Sequence, residues 1–210
     1  MGTREKEKFH TRFSYPYLYA RVGYRIAAVV ANVQYQGKKD VVNGNCPLVM
    51  FENATLPILL GRELLGVPKL YSDIPALHDH RDGSVTWETS LYGHLLFGIE
   101  VKGFEEQDQS VCDRITAKGT LPLLGCKYVD SPESNDAVSY ATATPIDAKV
   151  KRVYVGKDAT VYFGSPTHKN IGFMSTIIDK VKEMPIGEIT NVKMLVTTET
   201  LRIDQTKKLV

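Results

Sequence analysis

Gly61-Arg62-Glu63-Leu64-Leu65-Gly66-Val67-Pro68-Lys69 is the stretch on which the reading of this chain turns. It follows the apolar run Leu56-Pro57-Ile58-Leu59-Leu60. Residues 62–65 have room for about one helical turn before Gly66 and Pro68 stop it, because proline disfavours helix at the residue before it. Lys69 therefore falls where an apolar segment gives way to a sharp bend, a place that can hold one lysine against apolar walls. A desolvated lysine loses affinity for its proton, and the neutral amine can attack a carbonyl to make an imine. The protonated imine then draws electrons from a bond to the adjacent carbon. An isolated Pro-Lys is more often a solvated turn lysine, so the surrounding sequence has to carry the argument.

Outward from this stretch, strand signals dominate. Residues 24–35, 48–51, 85–101, 115–124, 138–143, 149–155 and 159–163 are β-branched or aromatic runs punctuated by Gly, Pro, Asn and Asp. Helical signal is confined to residues 62–65 and to 175–183, where Ile177, Ile178 and Val181 share a face and Met184-Pro185 supplies the stop. A last strand is expected over 192–203. The polar cluster 131–136 reads as a surface loop. These signals predict a mainly β chain of α+β or all-β class, with antiparallel strands in a barrel or sandwich and a few short helices.

The chain has 210 residues, 43% of them hydrophobic and 24% charged, which predicts one globular domain over 1–210, with 1–12 as a flexible N-terminal segment. A formal charge of +2, spread evenly, offers no footprint for nucleic acid and no basic membrane surface. The charged N-terminus lacks an apolar core of the secretory kind, and no apolar run is long enough for a membrane span, so a cytoplasmic location is expected. Cys46, Cys112 and Cys126 are odd in number and show no paired spacing, which suggests neither a disulfide framework nor a zinc site. His78 and His80 would face one side of a strand but lack a third ligand, and no metal is expected. Nucleotide-binding and serine-hydrolase motifs are missing from the sequence, and imine chemistry needs no added cofactor.

The run 61–69 resembles the segment Gly-Arg-Glu-x-x-Gly-x-Pro-Lys of the acetoacetate decarboxylase superfamily, whose imine-forming lysine closes it. Downstream, Met184-Pro185-Ile186-Gly187-Glu188-Ile189 and the strand after it are similar to the family's closing Leu-Pro-Val-x-Glu-Ile segment and last strand. The resemblance implies a cone-like antiparallel β-barrel, a buried cavity around Lys69 and assembly into homo-oligomers. It also implies a lyase that forms an imine between Lys69 and a keto acid, with decarboxylation of a β-keto acid as the leading reaction. An aldolase or dehydratase using the same lysine is the runner-up; a barrel that binds a small ligand without catalysis is the third reading.

Two departures bear on the chemistry. The decarboxylase places a second lysine after the reactive one, whereas this chain has Leu70, which would add to the apolar wall around the substrate. The stretch 24–36, where the decarboxylase supplies two acids, contains neither Asp nor Glu. By position Gln36 stands for one of them and Arg21 or Arg25 lies near the other. A second register matches Gly66-Val67-Pro68-Lys69-Leu70-Tyr71 to a run beyond the family's lysine pair; the register from Gly61 is preferred because it needs no deletion. The expected site is thus Lys69 and Glu63 as catalytic residues, with Arg25, Gln36, Arg62 and Leu70 around the substrate. Glu63 would orient the lysine or shuttle protons, or else form a structural ion pair with Arg62. His94, in an apolar strand, reads as a core histidine, while Glu88 and Glu100 are acids that could reach a barrel interior.

Overall fold

The computed structural model describes residues 24–129, 138–185, 189 and 192–210. The N-terminal segment, Arg21, the loop 131–136 and residues 186–188 of the downstream motif lie outside the described residues. The site is built on a long antiparallel pair, β1 (Ile26–Gln36) and β2 (Val41–Glu52). Alternation along β2 sends Val49 and Phe51 to one face and Met50 and Glu52 to the other. The first face joins the main core with Ala27, Leu96, Phe97 and Ile178; the second joins a smaller core with Leu65, Val67 and Leu123.

After β2 the chain makes a six-residue helix, α1 (Thr55–Leu60), then a π-helical turn, Gly61–Leu65, and returns as β3 (Lys69–Tyr71). β3 runs parallel to β2, with Met50 opposite Lys69 and Phe51 opposite Leu70. This crossover adds a parallel pairing to a fold whose other strand pairs are mostly antiparallel, as does a second parallel pairing between β2 and β8 (Leu123–Val129). A parallel neighbour needs a crossover rather than a tight hairpin, and the helical 55–65 segment provides it.

The remaining strands are β4 (His78–Asp79), β5 (Val85–Leu91), β6 (His94–Lys102), β7 (Glu105–Glu106), β9 (Val138–Thr144), β10 (Ile146–Gly156), β11 (Asp158–Phe163), β12 (Val192–Leu201) and β13 (Lys207–Lys208). Among the described residues their pairings trace three sheets: β1-β2-β8-β9-β13 with β3 on β2, β12-β10-β7, and β11-β6-β5-β4. No closed ring of pairings is traced among those residues. The expected run 85–101 is two strands, because Tyr92 and Gly93 both take positive φ and turn the chain back.

Helix α4 (Met174–Lys182) lies where the 3.6-residue periodicity placed it, and a short α3 (His168–Ile171) precedes it. The expected strand over 115–124 is corrected: its first part belongs to a helix, α2 (Gln109–Lys118). Val111, Cys112 and Ile115 recur at helical spacing and pack on Val150 and Val153 of β10. The β-branched pair Ile115-Thr116 hid that period. The fold is mainly β with a few helices.

Candidate active site

The motif around Lys69 has a mechanical explanation residue by residue. Gly66 closes the π-helical turn with φ +69°, a left-handed conformation that glycine adopts without a Cβ penalty. Its N–H and that of Val67 both reach the carbonyl of Gly61, which folds the turn back on itself. Gly61 is needed for a different reason: a Cβ there would overlap Cδ and Cε of the Lys69 side chain. The lysine stem thus lies against the backbone of the turn. The guanidinium Nη1 of Arg62 donates to the Lys69 carbonyl at 3.2 Å and ties the two ends of the motif together.

Lys69 is 2% exposed. Its Nζ lies 2.7 Å from Oε1 of Glu52 and donates to the carbonyl of Pro57 in α1 at 3.2 Å. Glu52 is fully buried, and beyond the lysine contact neither of its carboxylate oxygens has a hydrogen-bond partner among the described residues. Burial raises the Glu52 carboxyl above its ordinary value, while the hydrogen bond and charge of Lys69 pull it back down. Tyr24 lies close enough to feel the same carboxylate: burial, then Glu52 and Glu199, push its phenol up to about 12.

Strand register explains why these groups meet. Lys69 sits across from Met50, and Glu52 lies two residues further along β2 on the same face. On the other side of β2, Ile26 is directly opposite Glu52. Ile26 and Arg25 wall a cavity of about 480 Å³ whose lining includes Trp87, Ile99, Val101, Phe104 and Met194. Arg25 and Lys193 are the charged residues of that lining, and neither Lys69 nor Glu52 reaches it. The cavity therefore adjoins the buried pair across one strand position.

The expected site residues divide accordingly. Arg25 is brought to the lysine's end of the sheet: its N–H donates to Oδ1 of Asn53 at 2.7 Å and its Nη1 to the Ile74 carbonyl at 3.1 Å. Arg62 serves the backbone of Lys69 and lines a separate cavity of about 330 Å³ with Pro68, Cys46 and Cys126. Glu63 is exposed on the π-helical turn, with no hydrogen bond or ion pair to Lys69 among the described residues. Leu70 packs into the main core, so it faces away from the amine; neighbours on a strand point to opposite faces. Gln36 ends β1 at its far end, on the order of 30 Å from Ile26 at strand rise, and donates to Gln34. The fold thus separates Gln36 from the lysine, because register puts Ile26 opposite Glu52.

Glu52 is the residue that sequence reasoning passed over. Its signal was present: an acid closing the apolar strand Leu48-Val49-Met50-Phe51, on the same alternating face as Met50. Elsewhere, His78 and His80 lie exposed with ring centroids 4.5 Å apart, and His80 Nε2 sits 3.0 Å from Thr86 Oγ1. Among the described residues no group of three or more His, Cys, Asp or Glu is arranged to hold a metal ion. Among those residues, too, no helix is long and apolar enough to cross a membrane.

Known structures share this architecture. An acetoacetate decarboxylase from Legionella pneumophila superposes with a TM-score of 0.66 at 19% identity, covering 89% of this chain and 67% of that one. An acetoacetate decarboxylase-like enzyme from Sphingomonas wittichii RW1 gives 0.53 at 14% identity, covering 85% and 64%. The enduracididine biosynthesis enzyme MppR, complexed with the condensation product of pyruvate and imidazole 4-carboxaldehyde, gives 0.54 at 11% identity, covering 87% and 65%. The chain spans about two thirds of the length of these structures. No curated protein matches it in sequence. The family model for acetoacetate decarboxylase (ADC) matches residues 10–207, nearly the whole sequence, and the chain belongs to that family.

Proposed function

We propose that this protein is a lyase whose Lys69 amine condenses with the ketone of a small keto acid, decarboxylation of a β-keto acid being its leading reaction. The observation that carries the proposal is the enclosed amine: Lys69 Nζ, with its side chain 3% exposed, is held beside Glu52 at the end of a sheet that walls an apolar cavity. The carboxylate beside it can take the ammonium proton and free the amine for attack, and an imine formed at this depth is shielded from premature hydrolysis. In the reaction the lysine nitrogen replaces the ketone oxygen, which leaves as water. The bond to the carboxylate then breaks, its electron pair moves into the protonated imine, and carbon dioxide departs. Protonation of the enamine at carbon and hydrolysis return ketone and lysine.

In this reading Arg25 receives the substrate carboxylate, supported by its position in the cavity lining, one strand position from Glu52. Trp87, Ile99 and Val101 supply apolar walls for the carbon skeleton. In this reading the three sheets wrap the cavity as the family's cone-like barrel, and the active form is a homo-oligomer acting in the cytoplasm.

An aldol-type reaction through the same imine is the second reading. It is favoured by Leu70, which stands where the decarboxylase has its second lysine, and by the fold shared with MppR, whose structure holds a condensation product of pyruvate. Intact-protein mass after incubation with acetoacetate or pyruvate under borohydride reduction tests the proposal. A reduced adduct on wild type, absent from Lys69→Met, is expected, and gas evolution then separates decarboxylase from aldolase. No adduct from any carbonyl would leave a barrel that binds small ligands.

A further inference from the structure

We infer that Glu52 is the proton carrier of imine formation at Lys69, taking a proton from the ammonium to free the amine for attack and giving it to the hydroxyl that leaves. The inference rests on the lyase reading above and adds a catalytic residue to it. The stretch 24–36 has no carboxylate. Glu52 comes from the neighbouring strand and is the carboxylate in contact with the lysine nitrogen, at 2.7 Å.

Its surroundings suit the role. Glu52 is fully buried, and apart from Lys69 its oxygens have no hydrogen-bond partner among the described residues. A structural ion pair of this depth normally has its remaining lone pairs satisfied, because desolvating a charge is otherwise costly. An acid whose lone pairs lack other partners among the described residues, set beside a nucleophile, is instead ready to exchange a proton. Burial also favours its protonated form, which is the state an acid catalyst needs.

The proton balance closes within the pair. Starting from ammonium and carboxylate, Glu52 takes a proton and frees the amine. The nitrogen lone pair attacks the carbonyl carbon, and the carbonyl oxygen becomes a hydroxyl with a proton from the nitrogen. Glu52 then protonates that hydroxyl, the C–O bond breaks, water leaves and the nitrogen lone pair forms the C=N bond. The pair ends as iminium and carboxylate, with the same net charge as at the start and no proton drawn from solvent.

Two reactions of Lys69 separate this role from simple positioning. Carbamylation by cyanate requires an accessible neutral amine but no dehydration step, whereas borohydride trapping with acetoacetate or pyruvate requires both. In Glu52→Gln, which preserves shape, cyanate should modify Lys69 at least as fast as in wild type, while trapping falls by about 10²-fold or more. Glu52→Asp, which keeps the acid but withdraws it by one methylene, serves if the amide variant does not fold. Its trapping should fall by about tenfold with cyanate modification unchanged. Equal losses in both reactions, or trapping at the wild-type rate in either variant, would overturn the inference while leaving the lyase reading intact. Wild type that is carbamylated at Lys69 yet never trapped by any carbonyl would overturn both.

Discussion

The Lys69 ammonium and the Glu52 carboxylate meet at 2.7 Å across two parallel strands, with their side chains 3% and 0% exposed. Neither group would be stable alone at this depth. The pair is therefore a single unit in both stability and chemistry, and the first prediction concerns its stability. Removing one partner leaves an uncompensated buried charge, so Lys69→Met or Glu52→Leu alone should cost about 3 kcal/mol. The double variant should recover most of that loss, since well-packed apolar replacements of a buried pair are often neutral. Urea unfolding of the four proteins gives the coupling energy; additive losses would mean that the groups are not paired in solution.

The direction of the Glu52 shift sets a pH dependence. Its folded carboxyl holds a proton more tightly than the unfolded one, whose ordinary value is 4.5. Between that value and the raised one the native state binds more protons than the unfolded state. Stability then falls as pH rises through this window. Glu52→Gln should lose this component and show a flatter profile across it. Denaturation midpoints measured at closely spaced pH values check the sign, and a wild-type profile that rises there because of Glu52 would contradict it.

Gly61→Ala should damage function more than folding. The added Cβ collides with the middle of the Lys69 stem, a flexible chain that can move at a cost of about 1–3 kcal/mol for overpacking. Movement of the stem carries the amine away from Glu52, so imine trapping should fall by more than tenfold while Tm drops by only a few degrees. A variant that traps carbonyls at the wild-type rate would mean that the stem has more room than the structure gives it.

Access to the enclosed amine should depend on α1. This helix contains no buried residue, its N-cap Ala54 makes no side-chain hydrogen bond, and the carbonyl of its Pro57 accepts from Lys69. Elements with few buried contacts open at low free energy. Amides of residues 55–60 should exchange faster than those of β2. Ala54 already has extended backbone angles, so Ala54→Asp adds a cap worth about 1 kcal/mol. That change should slow cyanate modification of Lys69 several-fold; an unchanged rate would place the entry route elsewhere.

Arg25→Met tests the substrate carboxylate. Arg25 lines the cavity and its side chain bonds only the Ile74 carbonyl among the described residues, so the fold should tolerate the change. KM for a keto acid is expected to rise about tenfold with little change in kcat, the pattern of lost ground-state binding. A selective fall in kcat would move Arg25 from binding to the chemical step.

Local chemistry was legible in the sequence. The period of two along β1 and β9–β11 and over residues 48–51 of β2, the helical period of 174–182 and the turn chemistry of Gly66 and Pro68 are properties of neighbours along the chain. So is the placement of Lys69 at the end of its motif. Helix α2 was missed because its β-branched pair Ile115-Thr116 carries strand propensity, and only packing on β10 decides in favour of helix. The partnership of Lys69 was not legible at all. It depends on a crossover that lays β3 parallel to β2 in one register, and on a hairpin register that sets Ile26 rather than Gln36 opposite Glu52. A shift of one residue in either pairing would send the carboxylate to the other face. Sequence by itself determined which residue carries the amine; long-range register, which no local pattern encodes, decided which acid it meets.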